Sequence, residues 1–142
     1  MKGINATSTP PRWLMGGAAL LALTAVFPFG WLAHQWPAFH TVMYFIFRGE
    51  SAHVIGHFLL MGAVGTAVLL IFPQLRRRAA VYFAIMLAFG MSQEVLQLLS
   101  YKKRPFMGAD LFDIVVDLIG ATIVFALFWI ITAQQEDIHG TR

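Results

Sequence analysis

Four long apolar runs, separated by short polar breaks, set the pattern of this chain. Between Arg12 and Arg48 there is no Asp, Glu, Lys or Arg. Residues 13–33 alone provide the ~20 apolar positions that cross a hydrocarbon core ~30 Å thick. Comparable runs occupy 51–73, 79–101 and 110–133, and at about 1.5 Å per helical residue each is long enough to span. The pattern predicts an all-α integral membrane protein, a four-helix bundle forming a single domain over 1–142, with no internal repeat or low-complexity tract. Lys2 and Arg12 precede the first run as in a signal peptide. The run is long, however, and no small-x-small cleavage site follows it, so a retained helix is expected.

The segment 35–50 breaks the pattern, because it contains Pro37 and its apolar stretch is too short to cross. Phe39, Val42, Met43, Ile46 and Phe47 fall on one helical face, with His40, Tyr44 and Arg48 at four-residue spacing elsewhere. That arrangement predicts a short helix lying at the membrane interface between helices 1 and 2. A plain extramembrane loop is the simpler alternative.

Composition agrees with the pattern. Hydrophobic residues make up 58% and charged residues 12%, against about 45–50% and 25% in ordinary soluble domains. The absence of cysteine excludes disulfide frameworks, thiolate catalysis, Cys-based zinc or iron–sulfur sites and lipidation at a Cys. A net charge of +3 and a pI near 9.7 do not indicate a nucleic-acid partner, because the basic residues sit in short clusters between uncharged runs, as in membrane loops. Lys2, Arg12, Arg76, Arg77, Arg78 and Arg142 fall on one side of the four spans, and Arg48, Lys102, Lys103 and Arg104 on the other. This bias predicts both termini in the cytoplasm and a multi-pass protein of the inner membrane. Trp13, Tyr82 and Trp129 then come near the inner ends, and Trp31, Trp36 and Tyr101 near the outer ends, as interfacial anchors. Gly62, Gly65, Ala84, Ala88, Gly90, Gly120 and Ala121 are small residues that permit close helix approach.

Ionisable groups inside spans cost at least ~2.5–3.5 kcal/mol each on insertion scales, so each needs a reason. His57 lies six residues into the second span, Glu94 seven before the end of the third and Asp117 seven after the start of the fourth. All three therefore lie about 9–10 Å below the same, outer, boundary. Spacing within each helix agrees: His53 and His57 are four apart, Glu94 and Gln97 three apart, and Asp110, Asp113 and Asp117 follow three- and four-residue steps, so each set shares a face. Ser92 lies near this layer, and Lys102, Lys103 and Arg104 sit above it as counter-charge. A polar cavity open to the outside would satisfy all of them.

From Ser51 to Leu127 the chain resembles the VanZ-like family of small integral membrane proteins, named for a teicoplanin-resistance protein. The matching residues are His57 in AHVIGHF, Glu94 and Gln97 in QEVLQ, Arg104 in KKRPF, and Asp110, Asp113 and Gly120 in DLFDIVVDLIG. His53 stands where the family usually has Asp, and Asp117 where it usually has Asn. The resemblance implies a cell-envelope membrane protein that influences glycopeptide antibiotic susceptibility, with no established reaction.

Several chemistries remain open to these residues. His57 and Glu94, if adjacent, can act as base and acid, with desolvation raising the carboxyl pKa; their plain alternative is packing through buried hydrogen bonds. Arg104 can hold an anionic group bidentately, or serve only as a topology anchor. Gln97, Asp110, Asp113, Asp117 and His53 complete the expected ligand-binding set, and pairing with the basic cluster is the plainer account of the aspartates. His53, His57, Glu94 and Asp113 have the donor types of a divalent metal site. No HExxH occurs, though, and His pairs often only hydrogen-bond, so no metal or other cofactor is expected. There is no glycine-rich phosphate loop or nucleophile elbow. The expected partners are the lipid bilayer and a lipid-linked envelope component, a glycopeptide-like ligand or an anionic amphipath. Two alternatives from other classes are a membrane-embedded hydrolase or transferase on a lipid-linked substrate, and a structural subunit of an envelope-polymer machine.

Overall fold

Proline and glycine positions divide the chain into helices. A computed structural model describes residues 11–140, with side chains through Gln134; Lys2 and Arg142, used above in the charge count, lie outside the described residues. The helices are α1 (Arg12–Val26), α2 (Phe29–Gln35), α3 (Pro37–Ile46), α4 (Glu50–Ile71), α5 (Ala79–Gln97) and α6 (Gly108–Gly140). A 3-10 turn (Pro73–Arg77) joins α4 to α5, and a π-helical turn (Leu98–Lys102) extends α5. No strand occurs among the described residues.

Among the described residues, three helical stretches are long and apolar enough to cross a membrane: Glu50–Ile71, Ala79–Lys102 and Gly108–Gln134. The first expected span, 13–33, is not one helix. It breaks at Phe27–Pro28 into α1 and α2, which meet at a bend of 65°. Pro28 has no N–H to continue the ladder, and its ring keeps the preceding residue out of the helical region. Phe27 accordingly takes φ −69° and ψ 128°. Pro37 occupies the first turn of α3, where its missing N–H costs nothing. The expected helix within 35–50 is therefore present, and it buries no residue.

The outer surface of the three long helices is itself apolar. On α6, Leu111, Val115, Ile119, Ile123 and Leu127 recur every four residues and are each about half exposed, on the face opposite the aspartates. In water such a continuous patch would be untenable, whereas lipid covers it without cost. The chain is a membrane protein on this evidence.

Helix α4 packs most extensively on α6, and α5 next to it. Gly120 sets the α4–α6 approach: a Cβ there would run into the Phe58 carbonyl, and Gly62 lies across from it. Below this contact is a dry core of Met61, Val64, Leu69, Tyr82, Met86 and Ala121. Tyr82 is fully buried and donates its hydroxyl to the Ala121 carbonyl at 3.0 Å, so it is not the interfacial anchor its position suggests. The missing side chain of Gly65 makes room for that hydroxyl. Trp13, Trp31, Trp36 and Trp129 do remain exposed. Gly90 serves a close approach as expected, but Ala84 and Ala88 face outward and contribute none. Arg76 turns back over the end of α4, donating to the Leu69 carbonyl at 3.2 and 3.3 Å and covering the Phe128 ring. A guanidinium on unsatisfied carbonyls of a helix C-terminus is the favourable end for a cation.

Candidate functional site

Above the dry core the three long helices change character. One face of α6 carries Asp110, Asp113 and Asp117; one face of α5 carries Gly90, Glu94 and Gln97; the first two turns of α4 carry His53 and His57. All of these except Gly90 and His53 are buried polar or charged groups, and Glu94 and Asp110 are fully enclosed. The layer deduced from helix rise thus assembles as a set of contacts.

The outer part is a clamp around Asp110. Arg104 reaches it with both terminal nitrogens, Nη1 to Oδ2 at 2.6 Å and Nη2 to Oδ1 at 2.8 Å. Lys102 Nζ donates to Asp110 Oδ1 at 2.7 Å and to Glu94 Oε2 at 2.8 Å, joining α5 to α6. Asp110 Oδ2 also accepts the Met107 backbone N–H at 2.8 Å, which caps the start of α6 from its third residue. The local chain explains this geometry. The wide turn at 98–102 closes with the Lys103 N–H on the Leu98 carbonyl at 3.0 Å, and Lys103 itself adopts φ 44°. That left-handed residue reverses the chain, leaving Lys103 exposed between two cations that both turn inward on Asp110. The Asp110 carboxylate is the main cause of the rise of the Arg104 pKa above its ordinary value.

The deeper part consists of imidazole–carboxylate pairs. His57 Nδ1 lies 3.1 Å from Asp117 Oδ1 and His53 Nε2 lies 3.3 Å from Asp113 Oδ2. The two imidazoles lie 4.6 Å apart between centroids, with their planes tilted by 60°. Asp117 fits against α5 because Gly90 has no Cβ: one placed there would lie 3.1 Å from Asp117 Oδ2. That oxygen, Glu94 Oε1 and Gln93 Oε1 are buried without a hydrogen-bond partner in the protein.

These contacts revise several expectations. His57 pairs with Asp117 and Glu94 with Lys102, so the His57–Glu94 acid–base couple is not the pairing the structure makes. The anion in the Arg104 fork is the chain's own Asp110. Many of the expected polar groups meet one another directly. A pocket of about 220 Å³ lies away from these residues; it is apolar and lined by residues such as Ala18, Ala22, Val64, Val68, Ile85 and Phe89. Gln97 is buried and accepts from the Tyr101 hydroxyl at 2.9 Å, while Ser92 is exposed. Sequence reasoning missed Gln93, whose place beside Glu94 gave no periodic signal, and it placed Lys102 only above the layer. The eight-residue spacing from Lys102 to both Glu94 and Asp110 is the signal that could have shown its bridging role.

Among the described residues, His53, His57 and Asp113 also place one donor atom each within 4.8 Å of one another. Comparison with known proteins adds no relative to set beside this site: no family model matches the chain, and no curated protein or solved structure gives a significant match.

Proposed function

We propose that this chain is a VanZ-like cell-envelope protein of the inner membrane. In this reading α1 and α2 form a broken fourth span of a four-helix bundle, α3 lies at the interface and both termini are cytoplasmic. The polar layer then opens toward the outer side and engages an envelope component, influencing glycopeptide susceptibility. The carrying observation is the convergence of Glu94, Asp110, Asp113, Asp117, His53 and His57 from three membrane-spanning helices. Packing alone does not call for so many ionisable groups in a low-dielectric region, where each is costly.

The charges also favour one class of ligand. Lys102 and Arg104 face four carboxylates, so the layer lacks positive charge unless protons, a metal ion or the cationic end of a ligand supply it. A group with ammonium or hydroxyl donors therefore fits better than the anionic amphipath suggested by Arg104 alone. A membrane-embedded hydrolase or transferase is the second reading, favoured by the His57–Asp117 pair, in which a carboxylate orients an imidazole as it would a general base.

Deletion and overexpression should shift teicoplanin susceptibility in opposite directions, and unchanged susceptibility in both would contradict the envelope role. Lipid profiling of the same cells separates the two readings, since an accumulating lipid-linked substrate marks the enzyme. For topology, Lys103→Cys should react with an impermeant maleimide in intact cells and Arg77→Cys should not. The reverse pattern would overturn the outward-facing site.

A further inference from the structure

We propose that His53, His57 and Asp113 form a binding site for a divalent metal ion, zinc by its donor chemistry. This reverses the expectation drawn from the lack of HExxH, a motif that places two imidazoles and a general base on one helix. Here the two histidines come from α4 and the carboxylate from α6, a combination invisible to a local motif.

Three features favour a metal over two independent hydrogen bonds. The first is spacing. Donors about 2.0–2.1 Å from a tetrahedral ion lie about 3.3 Å from each other, and His53 Nε2 and Asp113 Oδ2 are 3.3 Å apart. All three donors fall within 4.8 Å, which modest side-chain rotation can close. The second is the support behind His57. Its Nδ1 faces Asp117 Oδ1 at 3.1 Å, so an Nδ1–H donated there leaves the Nε2 lone pair for a metal. A carboxylate on the far nitrogen is the usual partner of a metal-bound histidine, because it fixes the tautomer and strengthens the donor. Gly90 makes room for this carboxylate. The third is charge. With both imidazoles neutral, as metal ligands must be, two cations face four carboxylates, and a doubly charged ion brings the layer to neutrality.

Imidazole and carboxylate donors without thiolate suit zinc among common divalent ions. The His53 side chain is 45% exposed, against 10% for Asp113 and 6% for His57, so an ion would enter past His53. Three protein donors leave a fourth position open, as in zinc sites that hold water or substrate rather than purely structural ones. The proposal rests on donor geometry and charge balance, not on the envelope role.

The full chain, purified in detergent and stripped with a chelator, is titrated with zinc alone against a fluorescent zinc indicator. Cobalt is added separately and followed by its visible absorption. One ion per chain and a four- or five-coordinate cobalt spectrum are expected. His53→Ala, at the exposed rim, and Asp113→Asn should each weaken zinc by about 100-fold or more, while Asp117→Asn should keep the stoichiometry and weaken binding about 10–100-fold. Circular dichroism and gel filtration verify that the variants fold. His57→Ala is not required, so a misfolded buried variant would not block the test. No saturable binding by the parent chain, or unchanged affinity in folded His53→Ala and Asp113→Asn, overturns the site. Neither result bears on teicoplanin susceptibility, so the two proposals can fail separately.

Discussion

The Asp110 clamp and the deeper carboxylates are neighbours, with Lys102 shared between Asp110 and Glu94, yet they are finished to different degrees. Asp110 accepts from Lys102, from both arms of the Arg104 fork and from the Met107 N–H. Glu94 and Asp117 are equally buried, but each keeps one carboxylate oxygen with no partner in the protein. A buried ion with every lone pair used locks helices together. One left partly unsatisfied costs stability, and that cost is retained at sites that bind or react. On the proposed reading the clamp belongs to the architecture and the deeper layer to function, although sequence alone made all these residues look alike.

The sharpest way to break this distinction is to empty the clamp. Asp110→Ala leaves Lys102 and Arg104 without their shared anion and uncaps α6. The expected loss is on the order of 3 kcal/mol, visible as a large drop in thermal unfolding temperature in detergent and in membrane abundance. A fully stable Asp110→Ala protein would mean that the clamp is not structural. Gly120→Val attacks the register between the two regions, since its side chain would strike the Phe58 carbonyl beside His57. Overpacking of this kind costs about 1–3 kcal/mol and should also separate the His57–Asp117 pair. Its signature is lower stability together with altered imidazole resonances of His57, and unchanged resonances would contradict the assigned contact. The smallest stability effect belongs to the dry core. Tyr82→Phe removes one hydroxyl–carbonyl bond while keeping the ring, for about 1 kcal/mol. Activity per folded molecule should be unchanged, and a selective loss of activity would extend the functional region inward.

The sequence carried the helices because they follow from the length of the apolar runs, and it put the polar residues at matching positions along them because both counts use rise per residue. Spans at 51–73, 79–101 and 110–133 are matched by α4, by α5 with its π turn, and by α6 to within a few residues. The break at Pro28 was also written in the chain, but apolar composition hid a backbone constraint. Cross-helix partners were not legible. Whether His57 meets Asp117 or Glu94 depends on helix rotation and closeness, and these are set by Gly120 against Phe58 and by Gly90 against Asp117. Periodicity gives the face of one helix, not the face of its neighbour. The inward turn of Lys102 depended likewise on the left-handed backbone at Lys103, a conformation with no reliable sign in a lysine.

Glu94→Gln tests the central claim most directly, because it keeps shape and hydrogen-bonding capacity while deleting one charge from the deeper layer. Thermal stability in detergent and the envelope phenotype would be measured on the same variant at matched membrane abundance. On the proposed envelope role, the predicted result is a folded protein, within about 1 kcal/mol of the parent because Gln keeps an acceptor for Lys102 and Lys102 keeps Asp110, that has lost the effect on glycopeptide susceptibility. A variant with full effect on susceptibility would contradict the claim and return Glu94 to the architecture with Asp110.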